Sequence, residues 1–277
     1  MPFRTARRVA ASPLVRAWYA MSPREFESHG DYMSEGSVAL RVPESDNGTR
    51  IVEPTTVVAA VSFRGVSRHF GRRGSRRVVL RDIDLTVSPG SAVSITGGNG
   101  AGKTTMLRLA TGILAPNAGR VTIDGIDTDG RWRDVHRRIG FLSAGDRGLY
   151  TRLSVRGHLA FWAALAFVPR RERSRVVADA LVRFGLSDLA ERRADRLSLG
   201  QRQRLRLALT MAHRPSVLLL DEPRTSLDAD GLDILCSSVR EVLDREGAVI
   251  WCSPLGEEQP LRFDRTLLLA DGQLSEA

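Results

Sequence analysis

The chain has 277 residues, 42% of them hydrophobic, and a formal net charge of +9 at pH 7, enough to bury one sizeable core and a smaller lobe. Two cysteines, Cys236 and Cys252, exclude a disulfide framework and suit a reducing cytosol. No stretch approaches the ~18 apolar residues of a spanning helix, the longest running from Leu159 to Val168, so any membrane association is expected to be peripheral.

Residues 1–55 mix Pro, Ser, Gly and charge with little periodicity, which predicts a disordered extension. Arg7-Arg8 is followed by no apolar segment, so an export signal is not expected. Arginines and acidic groups balance in this segment, and the excess positive charge lies beyond it, at Arg72, Arg73, Arg76 and Arg77, at Arg131, Arg133, Arg137 and Arg138, and at Arg170, Arg171, Arg173 and Arg175. Such clusters can face nucleic acid or anionic lipid; we read them as a solvated surface in an arginine-biased chain.

From residue 56 the pattern becomes β-branched. Val57 to Phe63, Val78 to Leu80 and Ile83 to Val87, separated by glycine- and arginine-rich turns, predict antiparallel strands. After the Pro89-Gly90 turn, Ala92 to Ile95 reads as a short buried strand. It feeds Gly97-Gly98-Asn99-Gly100-Ala101-Gly102-Lys103-Thr104-Thr105, which fits the phosphate-loop pattern G-x-x-x-x-G-K-[ST] and runs into a helix at Met106 to Ala110. Glycines let backbone N–H groups turn inward around a polyphosphate, the lysine reaches its outer phosphates, and the following hydroxyl ligates Mg²⁺. Lys103 is the only lysine in the chain; the loop accepts a compact ammonium on a flexible stem where a planar guanidinium has no room.

Gly119 to Gly125 and Ile139 to Leu142 read as strands, followed by a helix-rich lobe from about 145 to 213 with helices at Val155 to Val168, Ser174 to Phe184 and Gln201 to His213. Val217 to Leu220 is a fully apolar run of parallel-strand type ending on Asp221-Glu222. A helix from about Ala229 to Arg245 and strands at Ala248 to Trp251 and Thr266 to Leu269 complete an α/β core with an antiparallel β subdomain and a helical subdomain. No internal repeat is seen, so residues 56–277 are expected to hold one nucleotide-binding domain.

Carboxylates at the exit of a buried strand are the expected partners of a phosphate loop. Asp221 is placed to hold Mg²⁺ and Glu222 to orient and polarise an attacking water. Between these elements lies Leu197-Ser198-Leu199-Gly200-Gln201, opening an amphipathic helix, and Ser226-Leu227-Asp228 follows the carboxylate pair. With these motifs in this order, residues 57–274 resemble the ATP-binding subunit of ABC transporters, whose signature is LSGGQ.

The resemblance implies ATP and Mg²⁺ as ligands and ATP hydrolysis as the activity. It places an aromatic, Phe70, on adenine, with an ordinary core residue as the alternative. Gly97, Gly100, Gly102, Lys103, Thr104 and Thr105 would take the triphosphate and Mg²⁺. Ser198, Gly200 and Gln201 would cap the γ-phosphate in a partner's loop in a head-to-tail pair, homodimeric or with a second ABC ATPase, and Asp228 would connect the two sites. The subunit would drive a separate membrane permease from the inner face of the cell membrane. Two family groups are absent: Ala144 stands where a glutamine is expected, with Asp146 the nearest oxygen-bearing side chain, and Pro254 stands where a histidine is expected. Slow hydrolysis follows, or pairing with a more complete subunit.

The loop from Gly145 to Ser154 is similar to one in exporters of the ABC-2 type, and Phe161 and Trp162 would lie near the permease groove or fill the lobe's core. A regulatory or nucleic-acid-associated ABC protein is the alternative, disfavoured by the single domain. An unrelated phosphate-loop kinase or GTPase would have to treat the signature as coincidence.

Overall fold

The computed structural model describes residues 58–71, 75–145 and 148–277. The expected disordered extension over 1–55, along with Arg72, Arg73, Asp146 and Arg147, lies outside them.

Two sheets carry the fold. The smaller is antiparallel, in the order β2-β1-β4-β5, formed by β1 (Val61–Phe70), β2 (Arg77–Val87), β4 (Ala118–Ile123) and β5 (Ile126–Asp127). Val78–Leu80 and Ile83–Val87, expected as separate strands, form the single strand β2, its register against β1 adjusted by bulges around Val66 and Arg68. Bulges let a long strand keep its apolar side chains inward while it twists, and Leu80, Ile83, Leu85 and Val87 are all buried.

The larger sheet has six strands in the order β10-β9-β3-β8-β7-β6. Here β3 (Ala92–Gly97), β6 (Ile139–Leu142), β7 (Val217–Asp221), β8 (Ala248–Pro254) and β9 (Arg265–Ala270) run parallel, and β10 (Gln273–Glu276) pairs antiparallel with β9. Both faces of this sheet are covered, which explains the unbroken apolar runs. In β7, Val217 and Leu219 pack into the core shared with the small sheet, whereas Leu218 and Leu220 face the core beneath the helical lobe. In β8 the same alternation sends Ile250 and Cys252 one way and Val249 and Trp251 the other.

The helices are α1 (Lys103–Ala110), α2 (Trp132–His136), α3 (Val155–Leu165), α4 (Arg170–Arg183), α5 (Leu199–Met211) and α6 (Ala229–Asp244). Several boundaries differ from those expected. Strand β1 runs on to Phe70 rather than ending at Phe63, and α5 spans Leu199–Met211 rather than Gln201 to His213. The helix predicted to reach Val168 stops at Leu165 because Phe167 takes a left-handed conformation, φ 61°. Pro169 then disfavours helical backbone at Val168 and itself caps α4, which consequently starts at Arg170 rather than Ser174. Strand β8 continues past Trp251, since Cys252 and Ser253 pair with Ile95 and Thr96. The short elements α2, β5 and β10 carry too few periodic residues to stand out in the sequence.

Candidate functional site

The parallel strands β3, β7 and β8 end together, and their last residues form the floor of the site. Register puts Gly97 beside Pro254 and Asp221 beside Cys252, so Gly97 and Asp221, far apart in the chain, flank the end of β8. This crevice outside the carboxyl ends of strands is where open α/β sheets bind ligands.

The loop from Gly97 to Gly102 connects β3 to α1. Gly102 sits at φ 117°, and a side chain there would meet Leu80 and the Val79 carbonyl at 3.0–3.1 Å. A side chain on Gly97 would come within 2.5 Å of the Leu269 carbonyl oxygen. Both positions therefore need glycine, one for conformation and one for space. The first turn of α1 contains no acidic residue, so its unsatisfied N–H groups and dipole face the crevice without local opposition. Lys103 is buried, and its Nζ donates to the carbonyls of Gly97 at 2.6 Å and Gly98 at 3.2 Å.

Asp221 is 1% exposed. Its Oδ2 accepts from Thr104 Oγ1 at 2.8 Å and, more distantly, from the Ala144 amide at 3.5 Å, while its Oδ1 is buried with no hydrogen-bond partner. A buried carboxylate oxygen without a donor is costly, and a hard cation shared between this oxygen and the Thr104 hydroxyl removes the cost. The pair therefore fits Mg²⁺, which takes one or two protein oxygens and completes its shell with phosphates and water. No cluster of three His, Cys, Asp or Glu side chains is present among the described residues, and a Mg²⁺ site of this kind needs none. Cys252 beside Asp221 is fully buried; desolvation pushes its thiol well up, Asp221 acting in the same direction and Lys103 against it. It is an inert neighbour.

A cavity of about 430 Å³ opens above the loop, lined by Asn99, Gly100, Ala101, Gly102, Lys103, Thr104 and Thr105, by Glu222, and by Phe70, Arg77 and Val79 from the small sheet. Glu222 has φ 49° and its amide donates to the Cys252 carbonyl at 2.9 Å, which holds it rigidly at the end of β7. Phe70 is 39% exposed, so it is not a core residue; Arg68, anchored on the Ala115 carbonyl, stacks its guanidinium 4.6 Å from the ring centroid. Arg77 and Val79 did not emerge from the sequence. The strand register that sets Arg77 opposite Phe70 is the signal that finds them.

The remaining predicted residues sit elsewhere. Ser198 caps α5, its Oγ accepting from the Gln201 amide at 3.2 Å while Gln201 Oε1 accepts from the Ser198 amide at 3.0 Å, a reciprocal capping box. Gly200 lies near the Ser226 carbonyl, and Leu199 beside it is half exposed. Asp228 caps α6 through Gly231 and pairs with Arg204 of α5 at 3.1 Å. None of these lines the cavity. Trp162 packs against the lobe's core and, with Phe161, forms an aromatic cluster around Tyr150.

Comparison with known proteins agrees with this arrangement. Residues 80–225 match the family model for ABC transporters. The chain is 33% identical over 214 residues to the ABC transporter ATP-binding protein NatA of Bacillus subtilis, covering 77% of this chain and 87% of that protein. It is 37% identical over 202 residues to the phosphonates import ATP-binding protein PhnC of Thiobacillus denitrificans, covering 70% and 76%. In fold it is similar to the dimeric, post-hydrolysis structure of the ATP-binding cassette MJ0796 bound to ADP and phosphate, at a TM-score of 0.70 and 23% identity over 78% of this chain and 98% of that one. With the phosphate loop, the carboxylate strand and the signature helix all in place, this chain belongs to the ABC transporter family, as one of its ATP-binding domains.

Proposed function

We propose that the protein is an ATPase subunit, residues 56–277 forming its nucleotide-binding domain and 145–213 the helical lobe, which closes as a dimer around ATP and drives a separate membrane permease. One observation carries the reading: the cavity gathers an exposed aromatic ring, a buried lysine, a hydroxyl and a carboxylate, while the Ser198 end of α5 contributes nothing to it. One copy thus holds half of a site.

In this reading Phe70 stacks on the adenine. Amides of the loop from Gly97 to Gly102, the first turn of α1 at Thr104 and Thr105, and Lys103 hold the triphosphate. Thr104 and Asp221 hold Mg²⁺, which when bound neutralises charge on the phosphate oxygens. Glu222 orients the attacking water. Ser198, Gly200 and Gln201 present the amino end of α5 to the nucleotide of the second copy or of a related subunit, and Asp228 joins the two sites.

Ala144 and Pro254 bring no side-chain hydrogen-bonding group to the water or the γ-phosphate. Turnover by the homodimer is therefore slow, because positioning and charge stabilisation account for most of phosphoryl-transfer catalysis. No helix among the described residues is long and apolar enough to cross a membrane, which accords with a peripheral subunit on the inner face. Export as the direction of transport is supported by the resemblance of the 145–154 loop alone; PhnC, by its name, serves import. The test is ATP turnover and ATP-dependent pairing of purified protein. Turnover as fast as that of a relative carrying both missing groups, with no partner present, would refute the slow-hydrolysis reading.

A further inference from the structure

The least expected charge in the described structure is Arg206, on α5, two turns beyond the capping box. It is 5% exposed, in a core where an unpaired cation would be prohibitive. Its Nη2 donates to the Ser143 carbonyl at 2.5 Å and to the Ser143 hydroxyl at 3.1 Å; its Nη1 donates to the Gly145 carbonyl and to Gln203 Oε1 at 2.7 Å. Gln203, also buried, turns its own amide to the Pro223 carbonyl at 3.2 Å.

The two carbonyls gripped by the guanidinium flank Ala144, whose amide points at Asp221 Oδ2. Pro223 directly follows Glu222. A single buried fork therefore ties the helix that begins at Ser198 to both segments that approach the nucleotide from the carboxylate side. Geometry favours arginine here: its two terminal nitrogens serve four acceptors, the Ser143 carbonyl and hydroxyl on one and the Gly145 carbonyl and Gln203 Oε1 on the other, more than the three donors of a single ammonium nitrogen can meet.

We propose that Arg206 is a positioning residue that makes the Ser198 end of α5 and the Ser143–Gly145 segment move as one unit, so that occupation of the Mg²⁺·ATP site stiffens the end of the helix that a second copy would meet. Ala144 has no side chain able to follow the nucleotide, and the arginine supplies the connection through the backbone instead. The inference rests on the nucleotide reading above.

Hydrogen exchange of the full chain with and without Mg²⁺·ATP, read separately at the phosphate loop, at residues 139–145 and at the start of α5, tests it. Dilute protein, below the concentration at which it pairs, keeps dimer contacts from protecting α5 directly. In the unmodified protein all three segments slow by about tenfold or more, an opening free energy of ~1.4 kcal/mol. In Arg206→Met, whose side chain fills similar volume, the phosphate loop still slows while the start of α5 changes by less than about twofold. Arg206→Lys, which keeps charge but cannot fork, behaves like Met and stands in should the Met variant fail to fold. Slowing at α5 in the Lys variant equal to that of the unmodified protein would overturn the proposal. Failure of the phosphate loop itself to slow in the unmodified protein would instead refute the nucleotide site.

Discussion

The Thr104 hydroxyl donates to Asp221 Oδ2 at 2.8 Å across 117 residues of sequence, joining the first turn of α1 to the last residue of β7. Asp221 Oδ1, buried and without a donor, is left for a cation. Asp221→Asn should therefore leave the ligand-free protein as stable as before or slightly more so, since a buried charge is removed. It should also abolish the extra stabilisation conferred by Mg²⁺·ATP, which amounts to about 2.7 kcal/mol at a ligand concentration 100-fold above Kd. Thermal unfolding with ATP, with and without Mg²⁺, measures this; an undiminished Mg²⁺ shift in the variant would exclude Asp221 as a ligand.

Lys103 satisfies itself on two carbonyls of its own loop, which the proposed function has it exchange for phosphate oxygens on binding. A charge-assisted hydrogen bond contributes roughly 1.5–3 kcal/mol, so Lys103→Ala should weaken ATP binding by about 10- to 100-fold and remove ATP-dependent pairing. Equilibrium binding of a fluorescent ATP analogue reads the first effect and sedimentation the second. Full affinity without this lysine would remove the basis of the whole assignment.

Phe70 is exposed and carries Arg68 against its ring, so its replacement costs the fold little. Aromatic stacking contributes about 0.5–1.5 kcal/mol beyond burial. Phe70→Ala is expected to weaken ATP binding by about two- to tenfold, with Phe70→Trp retaining it and unfolding midpoints equal throughout. Equal affinities for all three proteins would place the base elsewhere.

Pro254 pairs with Gly97 at the end of β8, directly beside the phosphate loop, and Ala144 approaches Asp221 from the other side. Installing polar groups at both, as Pro254→His with Ala144→Gln, should raise ATP turnover by about tenfold or more, because one well-placed donor can be worth 10²–10³ in rate. Steady-state phosphate release at saturating Mg²⁺·ATP decides it. An unchanged rate in a folded, ATP-binding double variant would show that these positions do not limit hydrolysis.

Three histidines are held by backbone carbonyls: His136 by Thr111, His158 by Ser154 and His213 by Ile139. Burial lowers the pKa of each, the carbonyl contact opposing in part, and for His213 the neighbouring His136 lowers it further. Above about pH 6.5 both folded and unfolded states are neutral at these sites and stability is flat. Below it the unfolded chain takes up protons that the native state resists, so stability falls, by up to about 1.4 kcal/mol per pH unit for each histidine, until the native pKa is reached. Urea midpoints at pH 7.5 and 5.5 should differ accordingly, and an unchanged midpoint would contradict the burial of these rings.

How much of this was legible in the chain depends on how local each signal is. The phosphate loop, the apolar run ending at Asp221 and the Leu197–Gln201 motif opening a helix are set by neighbouring residues: glycines and a lysine at fixed spacing, an unbroken apolar run, and a short run ahead of an amphipathic stretch. Sequence by itself determined those elements and the chemistry they can hold. It misplaced the end of α3 and the start of α4, where Phe167 in a left-handed turn and Pro169 as a cap decide the boundary, and it missed α2, too short for a period to register.

Tertiary structure alone decided which residues meet. That Pro254 adjoins Gly97, that Arg77 faces Phe70 and that Arg206 reaches Ser143 and Gly145 all follow from strand register and helix packing over long loops. Such contacts depend on how whole elements are aligned, and no spacing within a single stretch of chain encodes that alignment.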